Sequence, residues 1–179
     1  MSRYTMGFLV LFAWATGSVA AAAPHQHGRA ELDVAIEGPT LTLEFRSPLD
    51  NLLGFEHAPR TAAQKSAADA LLRGLRSNDA VLVPAAAARC ERTSVTVEAP
   101  VLTAAPARKT GAGPAAEAHA DLEVRYVFHC ARPDLLSSVE VKLFERYRGL
   151  RRIEAHIVGP RGQSSVVLSP ARRVASWRP

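Results

Sequence analysis

Six histidines are the chain's main chemical resource. His25 and His27 stand one residue apart in HQHGRAELDVAIEG, and three others sit within two residues of a carboxylate: His57 after Glu56, His119 before Asp121, and His156 after Glu154. Imidazole with carboxylate suits a borderline divalent ion such as Zn²⁺, with Zn–N bonds of about 2.0–2.1 Å. The carboxylates can ligate directly or orient the ring from behind. On an extended strand, side chains at i and i+2 share a face about 7 Å apart, so His25 and His27 can just reach one ion. Each histidine also has a plainer reading. His25 and His27 serve equally well as a polar, unstructured start, His57 as a residue bonded to loop backbone, His119 as the end of a linker, and His129 and His156 as solvated strand residues.

Copper is the rival metal. A start of the form X-X-His can wrap Cu(II) with the amine, two deprotonated amides and the imidazole. Pro24 has no amide hydrogen to lose, so a chain beginning Ala23-Pro24-His25 cannot form that chelate. Cleavage one residue later puts histidine second, which spoils it too. Both methionines, Met1 and Met6, fall in the leader, which leaves Cu(I) without thioether ligands. Zinc is therefore the expected metal. Catalysis finds no motif: HExxH, GxSxG, a P-loop and GxGxxG are all absent, and the expectation is a protein that is not an enzyme.

The leader places this chemistry outside the cytoplasm. Arg3, the apolar run MGFLVLFAWATG and the small residues Ser18 to Ala23 read as a signal peptide over residues 1–23. The apolar run is too short to span a bilayer, so no membrane insertion is expected after cleavage. Residues 24–179 then form a single exported domain, with a Pro/Ala/Gly linker at 104–118. Removing Arg3 from 22 basic residues leaves 21 against 17 acidic ones, scattered except for Arg146, Arg148, Arg151 and Arg152. Scatter and export both argue against nucleic acid as a partner. Two cysteines in an oxidising compartment favour one disulfide, Cys90 to Cys130, over a pair of thiolate ligands.

The elements that must hold the histidines are mostly strands. Ala30, Leu32, Val34 and Ile36 alternate with polar residues, and TLTLEFR follows the Gly38-Pro39 turn, so a hairpin is expected. SPLDNLLGFEHAP is a loop with enough apolar surface to pack down. Thr61 and Gln64 form a capping box that opens a helix with Ala67, Leu71 and Leu75 at a spacing of four, Ala68 and Leu72 beside them, and Asn78 near its stop. Short strands are expected over Asp79–Pro84 and Thr93–Glu98, then HADLEVRYVFHC, with Leu122, Val124, Tyr126, Phe128 and Cys130 inward. Val139–Phe144, Arg151–Val158 and Ser164–Leu168 follow. The class is α+β, mainly antiparallel strands with one clear helix. HGRAELDV laid over HADLEVRY aligns Glu31 with Glu123, a faint echo that allows two pseudo-repeated lobes.

Three segments together resemble the ZrgA-type periplasmic zinc-uptake proteins: residues 25–61 from HQHGRAELDVAIEG through SPLDNLLGFEHAPRT, the Cys90/Cys130 pair with Tyr126 and Phe128, and VKLFERYRGLRRIEAHIV with GQSSVVLSPA. The resemblance implies a periplasmic protein that captures or delivers zinc under zinc limitation, with a zinc importer or its binding protein as partner. It implies His25, His27, His57 and His119 as metal ligands, His27 ahead of His25, and Cys90–Cys130 as a structural disulfide. One departure is plain. Such proteins commonly carry a long histidine-rich stretch before the second His-led strand, and residues 104–118 here contain no histidine. The alternative reading is a metal-free periplasmic interaction module on the same scaffold.

Overall fold

A computed structural model describes residues 27–77, 81–103 and 120–178. The leader, His25, Asn78, Asp79, the linker and His119 lie outside the described residues. In chain order the elements are β1 (Arg29–Glu37), β2 (Thr40–Pro48), α1 (Asp50–Leu53), α2 (Ala62–Arg76), β3 (Leu82–Pro84), β4 (Cys90–Glu98), α3 (Pro100–Thr103), β5 (Asp121–Cys130), β6 (Ser138–Val141), α4 (Leu143–Arg146), β7 (Arg152–Gly159), β8 (Gly162–Leu168) and β9 (Val174–Ser176). Six strands form a large sheet in the order β4-β5-β2-β1-β7-β8, and three form a small sheet, β3-β6-β9. Among the described residues only β1 and β7 pair in parallel. The α+β class with mainly antiparallel strands is what the alternation predicts.

Period-two patterning builds the large sheet. Leu32 and Val34 of β1, Leu41, Leu43 and Phe45 of β2, and Leu122, Val124 and Tyr126 of β5 are all buried. They join Leu71, Leu72 and Leu75 of α2 and Val139 and Val141 of β6 in one continuous core. The predicted capping box is present: Gln64 N donates to Thr61 Oγ1 at 3.1 Å, and Thr61 N donates to Gln64 Oε1 at 3.2 Å. At the other end of α2, Arg92 of β4 donates to the carbonyls of Ser77 and Arg76, and Tyr126 Oη donates to Leu75 O at 2.8 Å. These bonds satisfy carbonyls that a helix end leaves open. Burial pushes the Tyr126 phenol well above its usual range.

Several expectations are corrected. Ala67 is exposed, and Ala68 with Leu71, Leu72 and Leu75 forms the buried face of α2. The strand expected over Val139–Phe144 stops at Val141. Leu143 and Phe144 are consecutive and both buried, which a strand facing one core cannot achieve but α4 can. β4 starts at Cys90 rather than Thr93, and β9 is an addition, too short for a period to show. The loop after β2 packs down as expected, with Leu49 and Leu52 buried and α1 formed within it.

The echo between the two His-led strands has a geometric counterpart within one sheet. β1 and β5 flank β2, and both run antiparallel to it, so they begin at the same end. Arg46 of β2 stands opposite Glu31 on one side and Glu123 on the other. The pairing that the sequence alignment suggests is thus the register of a shared sheet, not of two separate lobes.

Candidate metal site

The end of the sheet where β1 and β5 begin is closed by α1. Leu49 N donates to Ala120 O at 2.8 Å, fixing the start of α1 to the residue before β5. Asn51, 2% exposed, fixes it to β1. Its Oδ1 accepts from Gly28 N at 2.5 Å, and its Nδ2 donates to Arg29 O at 2.7 Å and Ser47 Oγ at 3.1 Å. Gly28 has φ +82°, in the left-handed region that glycine reaches without strain, and its carbonyl accepts from both Arg151 N and Arg152 N. Gly149 packs against the same short helix: a Cβ there would stand 2.6 Å from Asn51 O.

On this platform His27 Nδ1 lies 2.9 Å from Asp50 Oδ2. A carboxylate oxygen there accepts, so Nδ1 carries the hydrogen, and in the neutral ring that leaves the lone pair on Nε2. The ring is exposed, so that lone pair is open to an incoming ion. A carboxylate behind a histidine is the arrangement that orients imidazole ligands in zinc sites.

His57 shows the same tautomer by a different route. Its Nδ1 stands 2.9 Å from Ala58 O, and a carbonyl can only accept, which in the neutral ring again leaves the lone pair on Nε2. Phe55 stacks on the ring, with centroids 5.2 Å apart and planes at 27°. Glu56 Oε1, next in the chain, is buried with no hydrogen-bond partner among the described residues. A carboxylate oxygen withdrawn from water without a donor is costly, and a nearby cation relieves that cost. The donor set at both positions, imidazole nitrogen with carboxylate oxygen, fits zinc.

The four expected ligands are not assembled in the described residues. His25 and His119 lie outside them, while His27 and His57 are held by separate partners. Among the described residues no three His, Cys, Asp or Glu side chains stand together so as to hold a metal ion. His129 and His156 are exposed, on the outer face of the sheet. Glu154, expected beside His156, instead accepts from Arg152 Nε at 3.1 Å. The outer-face carboxylates are likewise engaged: Arg46 donates to Asp33 at 2.5 Å, Glu44 at 2.9 Å and Glu31 at 3.3 Å. Cys90 and Cys130 form the disulfide directly across the β4–β5 ladder, so they are not thiolate ligands. Because Cys130 ends the strand that Asp121 begins, this bond lies at the far end of β5 from α1.

Asp50 is the candidate-site side chain that sequence reasoning missed. It lies 23 residues from His27, and no local spacing links them. Its only signal is its place in SPLDNLL, a polar residue inside a loop whose leucines had to be buried.

A model of a family described as ZrgA family zinc uptake protein matches residues 24–177. A comparison with curated proteins finds no match.

Proposed function

The chain belongs to the ZrgA family of zinc uptake proteins, and from that premise we propose that it binds zinc in the periplasm and captures or delivers it for import without catalysing a reaction. The observation that carries the reading is the His27–Asp50 pair at 2.9 Å, which in the neutral ring turns the Nε2 lone pair away from the carboxylate. His119 is the natural second ligand. It directly precedes Ala120, whose carbonyl holds Leu49, and Leu49 adjoins Asp50. One short segment therefore links the entry of β5 to the partner of His27. His25, two residues from His27, and His57, with the buried Glu56 oxygen beside it, are the further contributors. Zinc is the cargo: it is taken up by exchange of its water for imidazole nitrogen, and released when a partner offers more or better ligands. A zinc importer or its binding protein is that partner.

Support for export comes from the leader and from the family. Among the described residues, no helix is long and apolar enough to cross a membrane.

Calorimetric titration of the purified protein with zinc tests the reading. Saturable binding is expected, lost when His27 and His119 are both replaced by alanine while the circular dichroism spectrum is unchanged. Imidazole must be unprotonated to ligate, so affinity should fall as pH drops below about 6.5. Absence of saturable binding at micromolar protein would overturn the proposal and leave the scaffold as a metal-free interaction module.

A further inference from the structure

β8 is an edge of the large sheet and β9 an edge of the small one. Where Gly162–Ser164 of β8 face Ser176–Arg178, the two edges bound an open groove of about 820 Å³. Its lining is mostly apolar and includes Leu136, Ile157 and Trp177. Leu136 and Ile157 belong to the core, and Trp177 Nε1 donates to Leu136 O at 2.9 Å, which fixes the indole in the groove wall. Arg161 and Arg178 are exposed at the same groove, and neither makes a hydrogen bond or ion pair among the described residues. Asp134 is the one carboxylate side chain of the lining among the described residues.

The strand beside the groove is unguarded. Sheet edges are usually protected by charge, proline or a bulge. β8 reads GQSSVVL, without a charge or a proline, and its first four residues are exposed. It pairs with β7 on one side, and among the described residues no strand pairs with it on the other.

We propose that this edge and groove are a docking site for an extended acidic segment of a partner protein, which adds as a strand beside β8 and seats alternate apolar side chains in the groove. Strand addition draws affinity from main-chain hydrogen bonds, and a neighbouring pocket supplies specificity for every second side chain. The charge of the occupant follows from Arg161 and Arg178 against the single Asp134. That balance disfavours the chain's own longer segments outside the described residues. Residues 1–26 carry only Arg3, and residues 104–119 carry Arg108 and Lys109 against Glu117. It also disfavours a second copy, because antiparallel pairing of two β8 strands turns Arg161 of each toward the end where Arg172 of the other lies. The groove is bounded by Gly38 and Ile36, at the opposite end of β1 from His27, so a nine-residue strand, about 30 Å, separates it from the zinc chemistry. The proposal stands without that chemistry.

The test uses fluorescence anisotropy of labelled seven-residue peptides alternating aspartate with valine or leucine, added to the purified protein in a metal chelator. Saturable binding is expected, at least tenfold weaker when lysine replaces aspartate and weaker at high salt. Two N-methylated versions of the acidic peptide, blocked at odd or at even amides, give the signature of strand addition: one phase binds and the other does not. The double variant Arg161→Glu/Arg178→Glu should bind at least tenfold more weakly, with its circular dichroism unchanged. The peptide controls do not depend on that variant's folding. No saturable binding, equal binding of the lysine peptide, or equal binding of both N-methylated phases would overturn the proposal. So would a dimer in sedimentation without peptide that Ser165→Pro dissociates, which would assign the edge to a second copy.

Discussion

His27 Nδ1 and Asp50 Oδ2 lie 2.9 Å apart across 23 residues of chain, joining the entry of β1 to the helix that closes that end of the sheet. The bond selects the ring nitrogen left to a metal. His27 is exposed and Asp50 only half-buried, so the pair adds little to folding. Its effect belongs to binding. Replacing Asp50 by alanine should weaken zinc about 10–100-fold, the usual range for a partner behind a ligating histidine. Asp50→Asn, which can still accept the hydrogen, should lose less. A competition titration against a zinc chelator measures both, and an Asp50→Ala affinity equal to the parent's would separate His27 from the zinc site.

Asn51 is the fixed point under that pair. Its replacement by leucine leaves Gly28 N and Arg29 O without their partners at a buried position, at a cost of about 2–4 kcal/mol. Gly149→Ala forces the same helix outward, because its new Cβ meets backbone and not a movable side chain, and should cost about 1–3 kcal/mol. Urea unfolding gives both values.

The Cys90–Cys130 bond closes a loop with a sequence separation of 40 residues. Removing it with the double alanine variant should cost about 2–4 kcal/mol of stability. Its place at the far end of β5 from α1 means that zinc affinity, measured well below the melting temperature, should not change. A loss of affinity in the folded variant would show that the two ends of β5 are coupled.

Tyr126→Phe tests the capping of α2. The bond from the phenol to Leu75 O is buried, so its loss should cost about 1–2 kcal/mol, read as a lower thermal midpoint.

Glu123 carries a pH signature. Burial first, then a hydrogen bond to Glu44 and repulsion from it, hold the Glu123 carboxyl above the usual carboxylate range, against the pull of Arg46. A carboxyl that keeps its proton better when folded favours the fold at low pH and loses that contribution as pH rises through its folded value. Glu123→Gln should therefore stabilise the protein at pH 7 and not at pH 3.5. The side chain is largely solvated, so the gain should stay under about 1 kcal/mol. Paired urea titrations at the two pH values show the sign.

Much of the large sheet was legible because a half-buried strand writes its burial as alternation. Leu32, Val34, Leu41, Leu43, Leu122 and Val124 follow it residue by residue. The capping box was legible for a similar reason: Thr61 and Gln64 meet within one turn. The short elements were not. β9 has three residues, and in α4 the residues Leu143 and Phe144 continue a strand-like run until packing turns them into a helix. At the candidate site, the tie of His57 to loop backbone could be read locally. The bond between His27 and Asp50 could not, because it depends on Asn51 drawing α1 against β1, and no sequence period reports a contact of that separation.

β4 and β5 are antiparallel neighbours, and a two-residue turn would suffice to join them. The chain instead runs from Glu98 through α3 and residues 104–119 before β5 starts at Asp121. Both ends of this excursion are anchored at the end of the sheet that holds Asp50, by pairing that does not depend on what lies between. Loop closure grows only with the logarithm of length, so doubling such an insert costs about 0.6 kcal/mol. The excursion is thus a place where the chain tolerates insertion at little cost to the sheet. The length and composition of residues 104–118, which hold no histidine here, are free to change with little consequence for the strand pairing on either side.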